Sequence, residues 1–403
     1  MFAMLCCPYL LYIVIVIMMD ARSAAFIQEL IRKYYADNSA SVVPSRVSER
    51  EFGFGDFENK IAYRHKSFAS LDALQRYLRS NAPAYVSYSS AYYKLPDARP
   101  MENKKLIGAE LVFDLDASDL HLSCQKEHGT GWVCSNCFAS VKKETIRLVE
   151  DFLVPDFGFS KSEMSLNFSG NRGYHVHVYS DKILELGPEQ RREISAYISA
   201  SELDPQSIFP TLGIRAVPLR GPTPTDKGWG GKFARAFLSL INDGAPALMS
   251  IGIEKSIAHA IIRKRAEVSL GISTGNWDKV SIPKKAEFWS NVVKSISISQ
   301  SDSIDRNVTN DPYHLIRLEG TIHGGSGLVA RKVQFSEMEK FDPMRDALAF
   351  GKEPTRIKTT SFSPKFSMGG EDFGPFDAQQ NTAVEMPACA AAYLILKGRA
   401  ELA

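Results

Sequence analysis

Apolar residues recur at the 3.6-residue spacing of an amphipathic helix in several stretches of the chain. This spacing predicts helices over Ala24–Tyr35, Ser70–Ser80 and Ser140–Leu153, and Ser140 is a suitable N-cap for the third of them. A segment around Ala388–Leu396 is apolar on every face and therefore predicts a buried helix near the C-terminus.

Other stretches alternate apolar and polar residues or are rich in β-branched and aromatic ones, which is typical of strands. They predict strands over Tyr85–Ser89, Glu110–Asp116, Ser165–Ser169 and Tyr174–Tyr179. Since helical and strand patterns follow one another along the chain, we expect an α/β (α+β) fold.

The character of the sequence changes twice, which suggests three successive regions. Pro and Gly become frequent between about 215 and 231, and the pattern that follows is mainly helical. We therefore predict a small, mainly helical insertion over 216–300. It would separate a first core region, 20–215, from a second core region, 301–403.

The first 19 residues, MFAMLCCPYLLYIVIVIMM, carry no charge and are just long enough to span a membrane. Pro8 interrupts this run, and no Lys or Arg precedes it as a signal peptide would require. Met18 and Met19 stand directly before a polar segment. We therefore interpret 1–19 as an apolar leader from a misplaced start and expect no membrane anchor; a membrane-tethered protein is the alternative.

The composition is that of a folded protein, because 44% of the 403 residues are hydrophobic and 23% are charged. This balance excludes a disordered or fibrous chain. Lys and Arg number 48 against 46 Asp and Glu, so the net charge of +2 excludes histone-like binding of a polyanion by the whole surface. The six cysteines are too sparse for a disulfide scaffold and indicate a reducing, cytoplasmic compartment.

Two carboxylates end the predicted strand Glu110–Asp116. Asp114 and Asp116 lie on the same face of it, and their Cα atoms would be about 6.6 Å apart, so both could bind the same pair of divalent ions. Hard oxygen ligands suit Mg²⁺ or Mn²⁺. Two acids at a strand end are more often simply solvated, so the pair indicates a metal site only together with other features.

A glycine-containing connection, SGNRG at 169–173, joins two of the predicted strands. Glycines let backbone N–H groups approach an anion, Arg172 can bind phosphate oxygens with two N–H groups, and the Ser169 hydroxyl can donate as well. His175 and His177 follow on one face of the next strand. The segment therefore suggests a phosphate-binding loop, with an ordinary turn and structural histidines as the alternative.

Cysteines and a histidine cluster between 121 and 140. Cys124, His128, Cys134 and Cys137 have the spacing C-x3-H-x5-C-x2-C and form a complete tetrahedral set for Zn²⁺. Because no coordination position would remain open, we expect a structural zinc-binding loop. His121 is a competing fourth ligand.

A third group of polar residues lies in SIDRNVTNDPYHLIRLEGTIHGGSGL. This segment contains Arg317 and His323 together with two acids, Asp305 and Asp311. Spacing alone does not show which acid matters, since either could cap a helix.

These elements together resemble the catalytic small subunit of DNA primase of the archaeal and eukaryotic type, in its archaeal form. The resemblance rests on blocks that follow in order along the chain: Arg50-Glu51-Phe52-Gly53-Phe54, SSAYY at 89–93, LVFDLD at 111–116, SGNRGYHVHV at 169–178, IDRNVTNDPYHLIRLEGTIHGGSGL at 304–328, and the final VEMPACAAAYLILKGRAE. It implies a primase catalytic core around a mixed β-sheet that is flanked by helices, with the zinc loop on its flank.

The resemblance also implies roles for single residues. The implied catalytic aspartates are Asp114, Asp116 and Asp305, which would hold two Mg²⁺ or Mn²⁺ ions, so the resemblance selects Asp305 over Asp311. The implied nucleotide-binding residues are Arg50, Ser169, Arg172, His175, Arg317 and His323.

The activity implied in this way is synthesis of short primers on single-stranded DNA, by nucleotidyl transfer from ribo- and deoxyribonucleoside triphosphates. The implied partners are a large primase subunit, with which the chain would form a heterodimer, and a replicative DNA polymerase downstream. Two alternatives are a related polymerase of the same superfamily that acts in repair and a non-catalytic, zinc-containing nucleic-acid-binding module.

Overall fold

The computed structural model describes residues 19–214, 217–279, 282, 284–301, 305–377 and 383–403. Its α-helices are, in chain order, α1 Ala21–Asn38, α2 Leu71–Asn81, α3 Gln125–His128, α4 Ser135–Arg147, α5 Pro188–Ile198, α6 Pro205–Ile208, α7 Gly228–Asp243, α8 Ala245–Ser250, α9 Lys255–Arg263, α10 Arg265–Ser273, α11 Lys285–Ser301, α12 Arg306–Asn310, α13 Pro343–Asp346 and α14 Ala388–Leu396. Its strands are β1 Phe52–Gly55, β2 Tyr63–Lys66, β3 Tyr85–Ser89, β4 Ala91–Tyr93, β5 Leu106–Ala109, β6 Leu111–Asp116, β7 Met164–Phe168, β8 Gly173–Val178, β9 Leu315–Arg317, β10 Arg331–Val333, β11 Pro354–Thr359, β12 Phe366–Met368, β13 Glu371–Phe373, β14 Ala383–Pro387 and β15 Ala400–Leu402.

The helices with clear sequence signals form where they are expected. Asp20 caps α1 by accepting the backbone N–H groups of Arg22 and Ser23. Ser70 caps α2 by accepting the N–H of Ala73 at 3.2 Å. The apolar helix α14 is buried over all but its last residue, as its composition predicts.

Two four-stranded sheets organise the fold, with strand orders β2-β1-β3-β9 and β10-β7-β8-β6. The α/β class is confirmed. The expected mixed sheet is wrong in detail, because neighbouring strands in the described part of the chain pair antiparallel throughout. A connection as short as 169–172, between β7 and β8, can join only antiparallel strands, since parallel pairing needs a long crossover.

The helix predicted to begin at Ser140 begins earlier. Helix α4 starts at Ser135 with Cys134 as its N-cap, and a π-helical stretch over Leu148–Leu153 continues it. Cys137 and Phe138 are buried in its first turn, so the apolar face extends further toward the N-terminus than the pattern after Ser140 indicated.

The region predicted as an insertion contains helices α7 to α11 in its described part. These helices and the segment before them pack around aromatic rings, whose centroids lie 5.1–6.2 Å apart, namely those of Phe209, Phe233, Phe237, Trp277 and Trp289. The predicted helical character is therefore observed, while the division into 20–215, 216–300 and 301–403 stays a prediction.

The apolar leader predicted over 1–19 lies outside the described residues, apart from Met19. Within the described ranges, no helix combines the length and the apolar character that crossing a membrane requires.

A buried ion pair joins the segment before β1 to the start of β6. The side chains of Arg50 and Glu110 are both fully buried and in contact. Glu110 also accepts the Tyr92 hydroxyl at 2.6 Å and contacts His177 Nδ1 at 2.9 Å. Burial alone would raise the pKa of Glu110, but its three partners lower this pKa to about 2, so the carboxylate is charged.

We predict that Glu110→Gln lowers the free energy of unfolding by about 3–5 kcal/mol, because it leaves the buried Arg50 charge unpaired. Denaturant unfolding of both proteins measures this difference. Glu353→Gln is the matched control, because Glu353 pairs with Lys33 in a bridge whose side chains are 60% and 65% exposed, and exposed pairs add little to stability. Equal stabilities for the two variants would contradict the prediction.

Candidate active site and metal cluster

The paired carboxylates are positioned by the register of two neighbouring strands. In the pairing of β6 with β8, Asp114 lies opposite His175 and Asp116 lies opposite Gly173. A Cβ atom at Gly173 would lie 1.8 Å from the Leu115 carbonyl oxygen, so only glycine allows the strands to approach this closely. This register places the end of β6 beside the glycine loop.

Asp305 is brought to the same place by a backbone contact. Its N–H donates to the Asp114 carbonyl at 2.9 Å, and its side chain caps α12 by accepting the Asn307 N–H at 2.8 Å. Asp311, the competing acid, instead accepts the Tyr313 N–H at 2.9 Å at the other end of α12. Of the two acids, the structure places Asp305 against the β6 carboxylates.

The three carboxylates repel one another. Burial, followed by the charges of Asp116 and Asp305, raises the pKa of Asp114 to about 8. Arg172 is a cation in direct contact with the group, and its Nε donates to Asp116 Oδ2 at 3.0 Å. Oxygen donors that are crowded together with too little positive charge suit a hard divalent cation, so Asp114, Asp116 and Asp305 could hold Mg²⁺ or Mn²⁺.

The two histidines on β8 have different surroundings. His175 Nε2 lies 3.5 Å from Asp114 Oδ1, and burial with repulsion from nearby groups holds the pKa of His175 well below its usual value. His175 is therefore a neutral ring beside the carboxylates. His177 is fully buried and contacts Glu110, so it belongs to the ion-pair network.

The glycine loop is held against the loop that contains His323. Ser326 Oγ donates to the Gly170 carbonyl at 2.5 Å. Gly170 has a φ of +85°, and a Cβ there would lie 2.9 Å from the Cβ of His323, so both conformation and space require glycine. Ser169 Oγ accepts the Gly173 N–H at 3.2 Å within the loop.

Arg317 and His323 pack on one aromatic ring. The Arg317 guanidinium lies 4.8 Å from the Tyr85 ring centroid, and the His323 ring meets Tyr85 edge-on at 5.1 Å. Burial lowers the pKa of Arg317 to about 10, and no carboxylate in the described part of the chain pairs with it. A buried, unpaired cation of this kind suits an anionic ligand.

The environment of His323 fixes which of its nitrogens carries a proton. Burial and nearby cations, Arg317 first among them, hold the pKa of His323 well below its usual value, so the ring is neutral. Nδ1 accepts the N–H of Gly325 at 3.2 Å, which leaves the proton on Nε2. His323 therefore offers an N–H donor without adding a charge.

The expectation that Arg50 binds a nucleotide stays a prediction, and the structure gives its side chain internal partners. Its side chain is fully buried, and its guanidinium donates to Glu110, Ser89, Tyr92 and Ser45. All its polar atoms are thus used inside the protein. Arg50 pairs with Glu110, which lies 60 positions away in the sequence. The local sequence does not reveal this contact.

One further cation borders this group and was not anticipated from the sequence. Lys397 Nζ donates to the side chain of Asn171, in the glycine loop, at 2.9 Å. The two residues are 226 positions apart, so no local spacing signals their contact.

The four predicted zinc ligands converge. The ligand atoms of Cys124, His128, Cys134 and Cys137 all lie within 4.8 Å of one another. The Sγ atom of Cys137 is 3.6 Å from each of the other two sulfurs and from His128 Nε2. Sulfur atoms about 3.8 Å apart are what a tetrahedral Zn–S distance of about 2.3 Å requires, so the cluster could hold a metal such as zinc. His121 is not part of this described group.

The family model of the DNA primase small subunit matches residues 113–335, which is more than half of the chain. The chain belongs to the DNA primase small-subunit family. The matched residues include the three aspartates, the glycine loop, Arg317 and His323.

Curated members of the DNA primase small-subunit family align with nearly all of the chain. The DNA primase small subunit PriS of Methanosarcina barkeri is 35% identical, with 95% of this chain and 97% of that protein covered. PriS of Methanothrix thermoacetophila is 32% identical over 95% of this chain and 100% of its own length. PriS of Thermoplasma acidophilum is 33% identical over 79% and 83%.

We predict that binding of Mn²⁺ to the chain strengthens as the pH rises from 6 to 8. A ligand carboxylate must be ionised, and below the Asp114 pKa of about 8 a proton competes with the metal, so affinity should rise about tenfold per pH unit and then level off. Calorimetric titration with Mn²⁺ at several pH values measures both the affinity and the proton release. An affinity that stays constant from pH 6 to 8 would refute this expectation.

We also predict that the purified chain contains about one zinc ion and that Cys134→Ala abolishes its retention, because three ligands hold zinc less tightly than four. Zinc content after dialysis against a mild chelator measures this loss. Cys389→Ala is the matched control, since Cys389 is buried in α14 outside the cluster and should leave the zinc content unchanged. Full zinc retention in Cys134→Ala would show that the cluster is not the zinc site.

Proposed function

We propose that the chain is the catalytic subunit of a DNA primase that synthesises short primers on single-stranded DNA by nucleotidyl transfer. The observation that carries this proposal is the juxtaposition of three mutually repelling carboxylates with cations and a neutral histidine donor. The carboxylates suit divalent metal ions, and the cations together with the histidine donor suit the phosphates of a nucleoside triphosphate.

The oxygen donors of Asp114, Asp116 and Asp305 fit the metal requirement of such a reaction. Burial and the neighbouring carboxylates raise the pKa of Asp114, and added positive charge would oppose this shift. When bound, two Mg²⁺ or Mn²⁺ ions would supply charge both to the attacking 3′ hydroxyl and to the leaving phosphate oxygens.

The chain itself supplies position and charge for the nucleotide. Arg172 and Arg317 would bind phosphate oxygens, and the Nε2–H of neutral His323 would donate a further hydrogen bond. The glycine loop would bring its backbone N–H groups and the Ser169 hydroxyl close to the same anion. His175 would hold the Asp114 carboxylate in place from the neighbouring strand.

The same proposal leads to expectations about how the chain binds its template and which proteins it acts with. The chain has a net charge of only +2, so it would hold a single-stranded template weakly and in a salt-dependent way. We therefore propose that it acts as a heterodimer with a large primase subunit. Ribo- and deoxyribonucleoside triphosphates would be its substrates, and a replicative DNA polymerase would extend the primers.

We predict that Asp116→Asn reduces primer synthesis at least about 100-fold while the fold is retained. The loss of one metal-binding charge removes several kcal/mol of transition-state stabilisation. The assay follows labelled ribo- and deoxyribonucleotides on single-stranded homopolymer DNA with Mg²⁺ or Mn²⁺ and no primer. Asp204→Asn is the matched control, because this carboxylate only caps α6 at the surface.

The outcome of the assay separates the alternatives. Full activity of Asp116→Asn would exclude Asp116 as a metal ligand. Extension of a supplied primer without initiation would indicate a polymerase that needs its large subunit to start. A wild-type chain without metal-dependent product, even with that subunit added, would overturn the proposal in favour of a non-catalytic binding module.

A further inference from the structure

Lys397 follows the C-terminal helix α14 directly and lies beside the candidate active site. Its backbone N–H donates to the Tyr393 carbonyl at 2.9 Å, and the helix before it is buried, so hydrogen bonding and packing hold the backbone of this residue in place. Lys397 lies outside the stretch matched by the family model, 113–335.

The side chain of Lys397 connects two loops. Its Nζ donates to Asn171 Oδ1 of the glycine loop at 2.9 Å and to the Gly131 carbonyl at 3.4 Å. Gly131 lies between the predicted zinc ligands His128 and Cys134. Since an ammonium group has three N–H donors, one donor remains for a further partner.

The charge of Lys397 is not balanced inside the protein. No carboxylate of the described residues forms an ion pair with it. Burial lowers its pKa to about 8, repulsion from Arg172, Arg399 and Lys60 adds to this, and Asp116 only partly offsets it. Holding several cations close together in a partly buried site costs free energy unless an anion binds to them.

The same cations surround His323. Lys397, Lys60 and Arg172 all lie close enough to disfavour a charge on the His323 ring, and Arg317 does so most strongly. Lys397 therefore lies near the proposed phosphate-binding residues, and its contact with Asn171 places it beside Arg172 of the glycine loop. A polyphosphate, whose charged phosphates are directly linked, matches several neighbouring cations better than the more widely spaced phosphates of a phosphodiester chain do.

We propose that Lys397 binds the polyphosphate tail of the incoming nucleoside triphosphate, beside Arg172, through the N–H donor that Asn171 and Gly131 leave unused. This inference rests on the proposed function of the site. It assigns a nucleotide-binding role to the end of the C-terminal helix, where the sequence analysis identified no ligand-binding residue.

The test compares Lys397→Met, which keeps the aliphatic stem, with Lys397→Arg, which keeps the charge. Binding of ATP, AMP and inorganic tripolyphosphate to the full chain is measured by calorimetry with Mg²⁺ and without template. Lys142→Met is the matched control, because Lys142 is also partly buried and donates to backbone carbonyls, at 2.7 and 3.2 Å, away from the site.

The expected result is an increase of about 10- to 100-fold in the Kd of Lys397→Met for ATP and tripolyphosphate, since a hydrogen bond to a charged group is lost. The Kd for AMP should change less than about threefold, and Lys397→Arg should recover most of the affinity. Lys142→Met should bind like the wild type, and the zinc content of all variants should be equal.

Other results would overturn the inference. Lys397→Met that binds ATP as the wild type does would exclude Lys397 as a ligand-binding residue. An equal loss of ATP and AMP binding, together with a loss of zinc, would show that Lys397 only ties the two loops together. A wild-type chain that binds neither ATP nor tripolyphosphate would reject the proposed function itself, which the other two results leave intact.

Discussion

The candidate active site depends on the close antiparallel pairing of β6 with β8. This register sets Asp114 opposite His175 and Asp116 opposite Gly173. A slip by one residue would turn the carboxylates to the other face of the sheet and move the apolar residues between them out of the core. Gly173 makes this register possible, because any side chain at this position would collide with the backbone of β6. The chemistry of the site therefore begins with a packing requirement.

Apart from the ion pair between Arg172 and Asp116, the charges of the candidate site are poorly balanced inside the protein. Burial and the neighbouring carboxylates raise the pKa of Asp114, while burial and repulsion from nearby cations lower the pKa values of Lys397 and His323. In contrast, the charges of Arg50 and Glu110 are paired internally and fully buried. The poorly balanced charges are those to which the proposed function assigns ligands, whereas the balanced buried pair connects the segments around them.

Local sequence patterns predicted several helices and strands well. They did not predict features that depend on contacts between residues distant in sequence. The helix predicted over Ser70–Ser80, the strand Tyr85–Ser89 and the helix Ala388–Leu396 follow from neighbouring residues, and the structure has them there. The burial of Arg50 depends on Glu110, and the place of Lys397 depends on Asn171, far along the chain. Hydrophobic periodicity and secondary-structure propensity describe only residues that are close in sequence. Contacts between distant residues can therefore be seen only in the folded structure.

The Cys/His cluster and the proposed nucleotide site share a short stretch of backbone. Arg172 Nη1 donates to the Thr130 carbonyl at 3.2 Å, and Lys397 Nζ donates to the carbonyl of the next residue, Gly131. Both carbonyls lie between His128 and Cys134, so a metal held by the cluster would restrain the acceptors that orient these two cations. A closed metal site has no open position for substrate. Its contribution to the reaction would therefore be to hold Arg172 and Lys397 at fixed positions around the polyphosphate.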